Sequence, residues 1–448
     1  MISEKNKRNQ STGLKTIFRS LQYRNYRLFF SGQSISLIGT WIQRIAMPWL
    51  VYRLSDSSFL LGVVGFAGQI PTFLLAPFAG VLSDRWNRYH ILIVTQILSM
   101  VQALILASLF FSGAIRVSHI VILSILLGCI NAFDVPSRQA FVIEMVENSE
   151  DLSNAIALNS SMVNGARLLG PSIAGILIAS TNEGMCFLLN SISYLFVVAS
   201  LILMRVKPRK RENKNSNVLI ALKEGFSYTF NFEPIKLIIL LLALISLMGM
   251  PYAVLMPVIA KEILHGDSFT FGFLMGASGV GALMGGIYLA SRRNVLGLEK
   301  IIPLSASVFG LGLITFSLSR VFLLSSILMV VTGLGMMLQM ASSNTIIQTV
   351  VDDDKRGRVM SIYAMAFLGT APFGSFLAGS MASVLGAPNT LIIGGIFCVL
   401  GAIIFARKLP ELSKLVRPIY VRLGIIPEVA KGIQSATELS VSTKKQKM

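Results

Sequence analysis

The sequence is dominated by long apolar segments, each close to the roughly 20 residues that cross a bilayer as a helix. They recur as two sets of six. The segments fall at residues 28–52, 60–82, 91–111, 119–141, 154–180 and 185–204, and then at 235–260, 269–290, 300–319, 323–347, 358–384 and 388–406. This pattern predicts an all-α membrane protein with twelve transmembrane helices in two pseudo-symmetric six-helix bundles.

The overall composition excludes a soluble protein. Apolar residues make up 54% of the 448 residues and charged residues only 13%, whereas soluble domains carry about 25% charged residues. Such a chain has too little polar surface to cover its apolar mass in water. Lipid is therefore the expected solvent, and the lipid bilayer is the first predicted partner.

The net charge of +18 would also fit a nucleic-acid-binding protein, so the placement of the basic residues matters. With both termini on one side, 33 of the 39 Lys and Arg residues fall in loops or termini on that side. Positive loops mark the cytoplasmic face of membrane proteins. The pattern predicts a multi-pass protein of the bacterial inner membrane with both termini cytoplasmic, and no nucleic-acid partner.

The segments also divide the chain. We predict a cytoplasmic N-terminal segment at 1–27, a bundle at 28–204, a cytoplasmic linker at 205–234, a second bundle at 235–406 and a cytoplasmic tail at 407–448. Within the linker, VLIALKEGFSYTF is expected to form a short amphipathic helix. The first 27 residues are polar and basic, so no cleavable signal sequence is expected.

A repeat relates the two halves. Three glycines of the fifth segment, Gly165, Gly170 and Gly175, recur 204 positions later as Gly369, Gly374 and Gly379 of the eleventh. Acidic runs follow the same offset. Corresponding segments in two six-helix halves are typical of transporters built by duplication.

The turn between the second and third segments carries a charge motif, GVLSDRWNRYHIL, from Gly80 to Leu92. Asp84 is predicted at the membrane edge, where Arg85 and Arg88 can pair with it, because a charge at that depth is costly without a partner. The motif resembles the loop signature of the major facilitator superfamily. Asn87 stands where the signature has glycine, and we expect the turn to survive because Asn tolerates positive φ.

The fifth segment contains NGARLLGPSIAG, with Gly165, Gly170, Pro171 and Gly175. Its small residues favour close helix packing, and Pro171 removes one backbone hydrogen bond. The motif is similar to the Gly-Pro element of drug–proton antiporters, a resemblance that implies export. The alternative is that these glycines serve helix packing alone.

Longer stretches resemble one branch of the superfamily, the enterobactin-exporter-like transmembrane secretion effectors. They include QYRNYRLFFSGQSISLIGTWIQRIAMPWLVYRL, NAFDVPSRQAFVIEMV and DDDKRGRVMSIY. The resemblance implies a secondary-active transporter that moves a siderophore, drug or amphiphile out of the cytoplasm by alternating access, with proton coupling. The alternative is a lysophospholipid or nutrient transporter on the same fold. We expect neither enzymatic activity nor a cofactor or metal site. The protein is expected to be a monomer.

Two charges near the end of the fourth segment are candidates for coupling. Asp134 is predicted at membrane depth, four residues before Arg138. Proton coupling requires a carboxyl that changes protonation as the bundles move, and a buried carboxyl can have its pKa raised into range. Asp134 is the first candidate, although it can equally complete a static charge network with Arg85, Arg88 or Arg138.

Polar residues inside the segments mark a candidate cavity. On the first helix Gln33, Thr40 and Arg44 share one face. Lipid would penalise this face, so we expect it to border a central cavity, where an arginine can contact an anionic or catecholate substrate. The predicted cavity residues, some of which serve interhelical hydrogen bonds instead, are Gln33, Thr40, Arg44, Asn131, Asn164, Arg167, Gln339 and Asn344.

Overall fold

The computed structural model describes residues 18–146, 148–206, 218–292, 294–423 and 425. In these ranges the regular secondary structure is helical. The first six long helices are α1 (Arg24–Ser55), α2 (Ser58–Arg85), α3 (Arg88–Phe111), α4 (Val117–Met145), α5 (Ser149–Ser180) and α6 (Glu183–Leu203). They are followed by the shorter α7 (Val218–Asn231) and by α8 (Glu233–Ile263), α9 (Ser268–Ala290), α10 (Leu298–Leu318), α11 (Phe322–Val350), α12 (Asp353–Leu385) and α13 (Ala387–Arg422).

Eleven helices of the described chain are long and apolar enough to cross a membrane. The remaining long helix, α1, has 32 residues, and polar side chains such as Gln33, Gln43 and Arg44 lower its mean hydropathy. It is nevertheless packed inside the first bundle, with Gly32 against Ser200 of α6. With α1 included, the predicted all-α fold with twelve transmembrane helices in two six-helix bundles is confirmed.

The helix α8 is interrupted by two wider turns. Residues Ile245–Gly249 and Ile259–Ile263 form π-helical turns, and Pro251 and Pro257 lie beside them. Proline cannot donate a backbone hydrogen bond, so the helix is expected to adjust near it. The second π turn places Lys261 and Glu262 at the end of α8, where both reach the first bundle.

The predicted turn between α2 and α3 is present, but the backbone conformation of Asn87 differs from the one expected. Asn87 has φ −74°, so the expectation of a positive φ is wrong. Asn87 is instead the N-cap of α3, and its side chain accepts a hydrogen bond from Tyr89 N at 3.1 Å. An N-cap residue adopts extended backbone because its side chain must reach the first free N–H groups of the helix.

The glycine repeat corresponds to a repeat in packing. Gly170 of α5 lies against Trp41 of α1, and Gly374 of α12 lies against Leu247 in the first π turn of α8. Both contacts lie within a bundle and involve its first helix. Repeat-related positions thus perform the same packing role in the two halves, as a duplicated fold requires.

The chain after residue 406 does not begin as a tail. The helix α13 continues to Arg422, and Leu412, Val416 and Tyr420 recur on one face with exposed fractions of 5%, 9% and 5%. This face packs on the second bundle, because burying a large apolar side chain removes it from water. Residues 1–17, 207–217 and 426–448 lie outside the described chain, and α7 forms where the amphipathic linker helix was predicted.

Candidate functional site

The two bundles are joined by polar contacts at the end of the molecule where residues 56–57 connect α1 to α2, here called the far end. Tyr52 donates a hydrogen bond to Glu262, and Lys261 Nζ lies 2.6 Å from Asp56 Oδ1. The Lys261 ammonium also lies 5.2 Å from the centre of the Tyr52 ring. Each contact pairs α1 or its C-cap with the end of α8, so the far end is held across the interface between the bundles.

Close helix crossings reinforce this junction. Gly62 of α2 meets Gly379 of α12, where an added Cβ on Gly379 would lie 2.6 Å from Gly62 Cα. Gly175 of α5 meets Gly272 of α9 in the same way, with a Cβ on Gly175 at 3.0 Å from Gly272 Cα. Both crossings lie in the half of the helices nearer the far end. The opposite half of the molecule is here called the linker end because α7 lies there.

Arg44 lies near the middle of the bundle on α1. Its side chain is exposed although protein surrounds it. The guanidinium carbon lies 5.0 Å from the centre of the Trp41 ring, a cation–π distance. Arg138 of α4, Arg167 of α5 and Tyr194 of α6 are within electrostatic reach.

Arg167 reaches across the interface. Its Nη2 lies 3.6 Å from Met336 Sδ of α11, in the second bundle. Asn164, one turn earlier on α5, donates to Ser160 O and is half-buried. Among the described residues no carboxylate forms an ion pair with Arg44 or Arg167, so neither positive charge is paired in this part of the chain.

Asp134 lies in a buried network of α3 and α4. It is 4% exposed, and its Oδ1 accepts hydrogen bonds from Thr95 Oγ1 at 3.0 Å and Gln96 Nε2 at 2.7 Å. Its Oδ2 lies 3.3 Å from Arg138 Nη2. Two hydrogen-bond donors and one guanidinium group thus surround the Asp134 carboxyl group. The structure therefore brings Asp134 and Arg138 together, and through Arg138 places them beside Arg44.

The charge motif after α2 is described in part. Arg88 at the start of α3 forms an ion pair with Glu144 of α4 at 2.7 Å. The side chains of Asp84 and Arg85 lie outside the described part of the chain, so their predicted pairing stays a prediction. The ion pair between Arg88 and Glu144 joins α3 to α4 at the linker end.

The other predicted cavity residues of the first bundle differ in exposure. Gln33 is buried, with 3% of its surface exposed, and lies two turns or more from Arg44 on α1. Thr40 is half-buried, and its hydroxyl lies 3.4 Å from the hydroxyl of Tyr194. Asn131 is half-buried on α4. Thr40 thus joins the group around Arg44 through Tyr194, whereas Gln33 does not reach it.

The two predicted cavity residues of the second bundle lie on α11. Gln339 is fully buried and donates to Ser343, and its Oε1 has no hydrogen-bond partner among the described residues. Asn344 is half-buried and accepts a hydrogen bond from Gln348. Both side chains are neutral amides, so the two residues contribute polarity without charge.

The glycines of the fifth-segment motif divide between two roles. Gly170 packs on α1 and Gly175 on α9, whereas a Cβ on Gly165 would meet nothing within 4 Å. Pro171 is accommodated inside α5, and its carbonyl faces Gly272 of α9. The motif therefore serves helix packing at two positions, both within reach of the bundle interface.

Sequence reasoning missed a buried amide network. Asn190 Nδ2 donates to Gln43 Oε1 at 2.7 Å, and Gln43 Nε2 donates to Gln102 Oε1 at 3.0 Å. These side chains link α6, α1 and α3 and are at most 3% exposed. Glutamine inside an otherwise apolar helix was the available signal, because a buried amide needs partners. The network rigidifies the helix that carries Arg44.

Comparison with known proteins agrees with this architecture. A family model described as "Transmembrane secretion effector" matches residues 15–418. The staphyloferrin A transporter of Staphylococcus aureus (strain NCTC 8325 / PS 47) is 28% identical over 382 residues, which cover 85% of this chain and 95% of that protein. Macrolide efflux protein A of Streptococcus pyogenes is 21% identical over 406 residues, with 88% and 99% covered.

Solved structures show the same fold. A bacterial homolog of the human lysosomal transporter Spinster has a TM-score of 0.70 at 13% identity, covering 89% of this chain and 98% of that one. The nucleoside transporter NupG has a TM-score of 0.64 at 11% identity, with 86% and 98% covered. Because the family model spans most of the sequence, the chain belongs to the transmembrane secretion effector family of major facilitator superfamily transporters and is a multi-pass membrane transporter.

Proposed function

We propose that this protein is a secondary-active exporter that moves a small molecule out of the cytoplasm by alternating access between its two bundles. The observation that carries the proposal is the accessible Arg44 in the middle of the bundle, with the bundles joined at the far end. Such an arrangement suits a state open to one side. Relatives named for macrolide efflux and multidrug efflux support the outward direction.

The linker end is assigned to the cytoplasm. Basic residues at this end of the described chain include Arg19, Arg24, Arg205, Arg356 and Arg417, and positive loops are retained in the cytoplasm. The cavity beside Arg44 would then open to the cytoplasm, from which an exporter takes its substrate. We place the protein in a bacterial inner membrane, with both termini cytoplasmic, acting as a monomer.

The substrate is proposed to contact Arg44 and Arg167. Both guanidinium groups border the space between the bundles, and neither forms an ion pair with a carboxylate in the described chain. An uncompensated charge within a membrane protein is costly unless water or a ligand solvates it. Guanidinium groups pair well with carboxylates, so a substrate with an anionic group fits this surface.

Proton entry is proposed to drive export through Asp134. Asp134 is a buried carboxylate that forms an ion pair with Arg138. Arg138 in turn lies within electrostatic reach of Arg44. Protonation of Asp134 would remove the charge that holds Arg138, and the pairing of Arg138 would then change as the bundles move.

Export is tested in a bacterial strain that lacks its own exporters and carries this gene. Labelled siderophores, drugs and lysophospholipids are added singly, and cellular accumulation is measured with and without a protonophore. The proposal predicts lower accumulation of at least one compound when the gene is expressed, with loss of the effect when the proton gradient is removed. Arg320→Gln is the matched control, since Arg320 lies at the far end and bonds only to nearby carbonyl groups.

Raised accumulation of a nutrient or lysophospholipid, in place of lowered accumulation, would make the protein an importer and contradict the proposal. Export that persists at full rate with the protonophore would contradict proton coupling alone. Both outcomes are read from the same cells.

A further inference from the structure

A cavity separate from the space between the bundles lies inside the second bundle at the linker end. It has a volume of about 170 Å³ and is bordered by α8, α10, α11 and α13. Its apolar wall includes Ile238, Ile302, Ile346, Leu412 and Val416. Other proteins hold a benzene-sized ligand in an apolar cavity of about 150 Å³. The cavity is therefore large enough for a ring or a short branched chain.

Two polar atoms in this cavity have no partner among the described residues. They are Glu299 Oε2 and the hydroxyl of Tyr420, and both residues line the cavity. Tyr420 is only 5% exposed, and the Glu299 carboxylate acts on its hydroxyl electrostatically. Buried polar atoms are nearly always hydrogen-bonded in native proteins. Two such exceptions in the wall of one cavity indicate a missing partner.

The chemistry of the wall restricts that partner. A carboxylate accepts hydrogen bonds and attracts positive charge, and a phenolic hydroxyl can also accept. A metal ion would need several oxygen ligands, which this mostly apolar wall does not supply. An anion would be repelled by Glu299. Arg417 lines the cavity as well, but it is exposed and forms no ion pair with Glu299 in the described chain.

We propose that this cavity is a second ligand site, which binds a small organic ammonium ion with an apolar body about the size of a benzene ring. The ammonium group donates hydrogen bonds to Glu299 and Tyr420, and the apolar body contacts the isoleucines opposite. The site is distinct from the cavity proposed for the exported molecule, because its lining residues all belong to the second bundle.

The position of the site gives it a structural consequence. The part of α13 beyond residue 406 supplies Leu412, Val416 and Tyr420, while α10 supplies Glu299 in its first turn. A bound ammonium ion joins these two helices at the linker end. Occupancy therefore holds the end of α13 against the second bundle.

The test is isothermal titration calorimetry on the purified full-length protein in detergent, with benzylammonium chloride as the probe and benzyl alcohol as its neutral match. Benzylammonium is expected to bind saturably and benzyl alcohol at least about tenfold more weakly, because a charged hydrogen bond contributes more than a neutral one. Saturable binding with equal affinity for the two probes, or no saturable binding of benzylammonium, overturns the proposal.

Four variants locate the binding. Glu299→Gln should weaken benzylammonium binding about tenfold or more, and Tyr420→Phe, which removes only a hydroxyl, about threefold. Arg417→Gln should strengthen binding, because it removes a repelling charge at the rim. Glu411→Gln is the matched control, because Glu411 is exposed on the same helix and pairs with Lys408. The affinity of this variant for benzylammonium should stay within about twofold of wild type. Unchanged binding in both Glu299→Gln and Tyr420→Phe overturns the assignment of the site.

Discussion

The first and second bundles pack their helices through glycines at repeat-related positions. Gly170 and Gly374 each contact the first helix of their own bundle, and Gly175 and Gly379 each cross a helix of the other bundle. The partner helices, α9 and α2, also correspond in the two halves. Backbone contact at these crossings leaves no room for a Cβ, so steric demands keep the packing positions alike.

The interiors of the bundles differ in charge. The first bundle buries Asp134 beside Arg138, with Arg44 and Arg167 facing the space between the bundles. Apart from the half-buried Glu299, the polar residues buried in the described second bundle are neutral, and Gln339 is the largest of these neutral residues. The two bundles therefore share their helix packing but differ in the charges that they carry. Both halves supply the scaffold, and the first half supplies the charges on which the proposed transport depends.

The largest expected effect comes from Asp134→Asn. The variant places an amide donor against Arg138 and removes the charge that pairs with it, so export driven by a proton gradient should be abolished. Exchange of substrate down its own gradient should stay within about threefold of wild type, because a residual binding surface remains. Both rates are measured in reconstituted vesicles. Retained proton-driven export would give Asp134 a static role, and loss of both rates would point to a structural defect.

The glycine crossings should respond alike in the two halves. Gly175→Ala and Gly379→Ala each place a Cβ within 3.0 Å of the other bundle's backbone, and overpacking of this kind costs about 1–3 kcal/mol. Melting temperatures of the purified variants in detergent should fall by similar amounts. A large drop for one variant and none for the other would break the symmetry of the packing.

Gly165 sharpens the same comparison in the opposite direction. A Cβ at this position meets nothing within 4 Å, so Gly165→Ala should stabilise α5 by about 0.5–1 kcal/mol through helix propensity. The expected result is a slightly higher melting temperature with unchanged export. A drop in melting temperature would show that Gly165 has a packing partner in another state of the transporter.

The smallest expected effect concerns the far end. Asp56 has a positive φ of 44°, which Asn tolerates as well, so Asp56→Asn removes the charge that pairs with Lys261 and keeps the turn. An exposed ion pair contributes about 0.2–1 kcal/mol. Labelling of a cysteine at the far end by a membrane-impermeant maleimide should rise by no more than about fivefold. A much larger rise would mean that this single pair controls closure.

The sequence was sufficient for the twelve helices, because length and hydropathy decide where a chain can cross lipid. It was less informative about α13. This helix continues to Arg422 because Leu412 and Tyr420 pack against helices that are distant in sequence. Gln33, Thr40 and Arg44 were predicted to share a polar face of α1, whereas the burial of Gln33 and the exposure of Arg44 depend on which helices lie opposite. Asn87 stabilises its turn by capping α3. The sequence argument considered only whether Asn could adopt the positive φ of glycine, so it did not suggest this role.

The measurement that tests the proposed role of the first bundle most directly is substrate uptake by everted membrane vesicles, using the compound identified in the accumulation screen. Arg44→Gln is compared with Gln339→Leu, which alters a neutral buried residue of the second bundle. Loss of a charge-assisted hydrogen bond should raise the half-saturating substrate concentration about tenfold or more for Arg44→Gln. Gln339→Leu should stay within about twofold of wild type. Unchanged uptake in Arg44→Gln, or a larger loss in Gln339→Leu, would contradict the assignment of substrate binding to the first bundle.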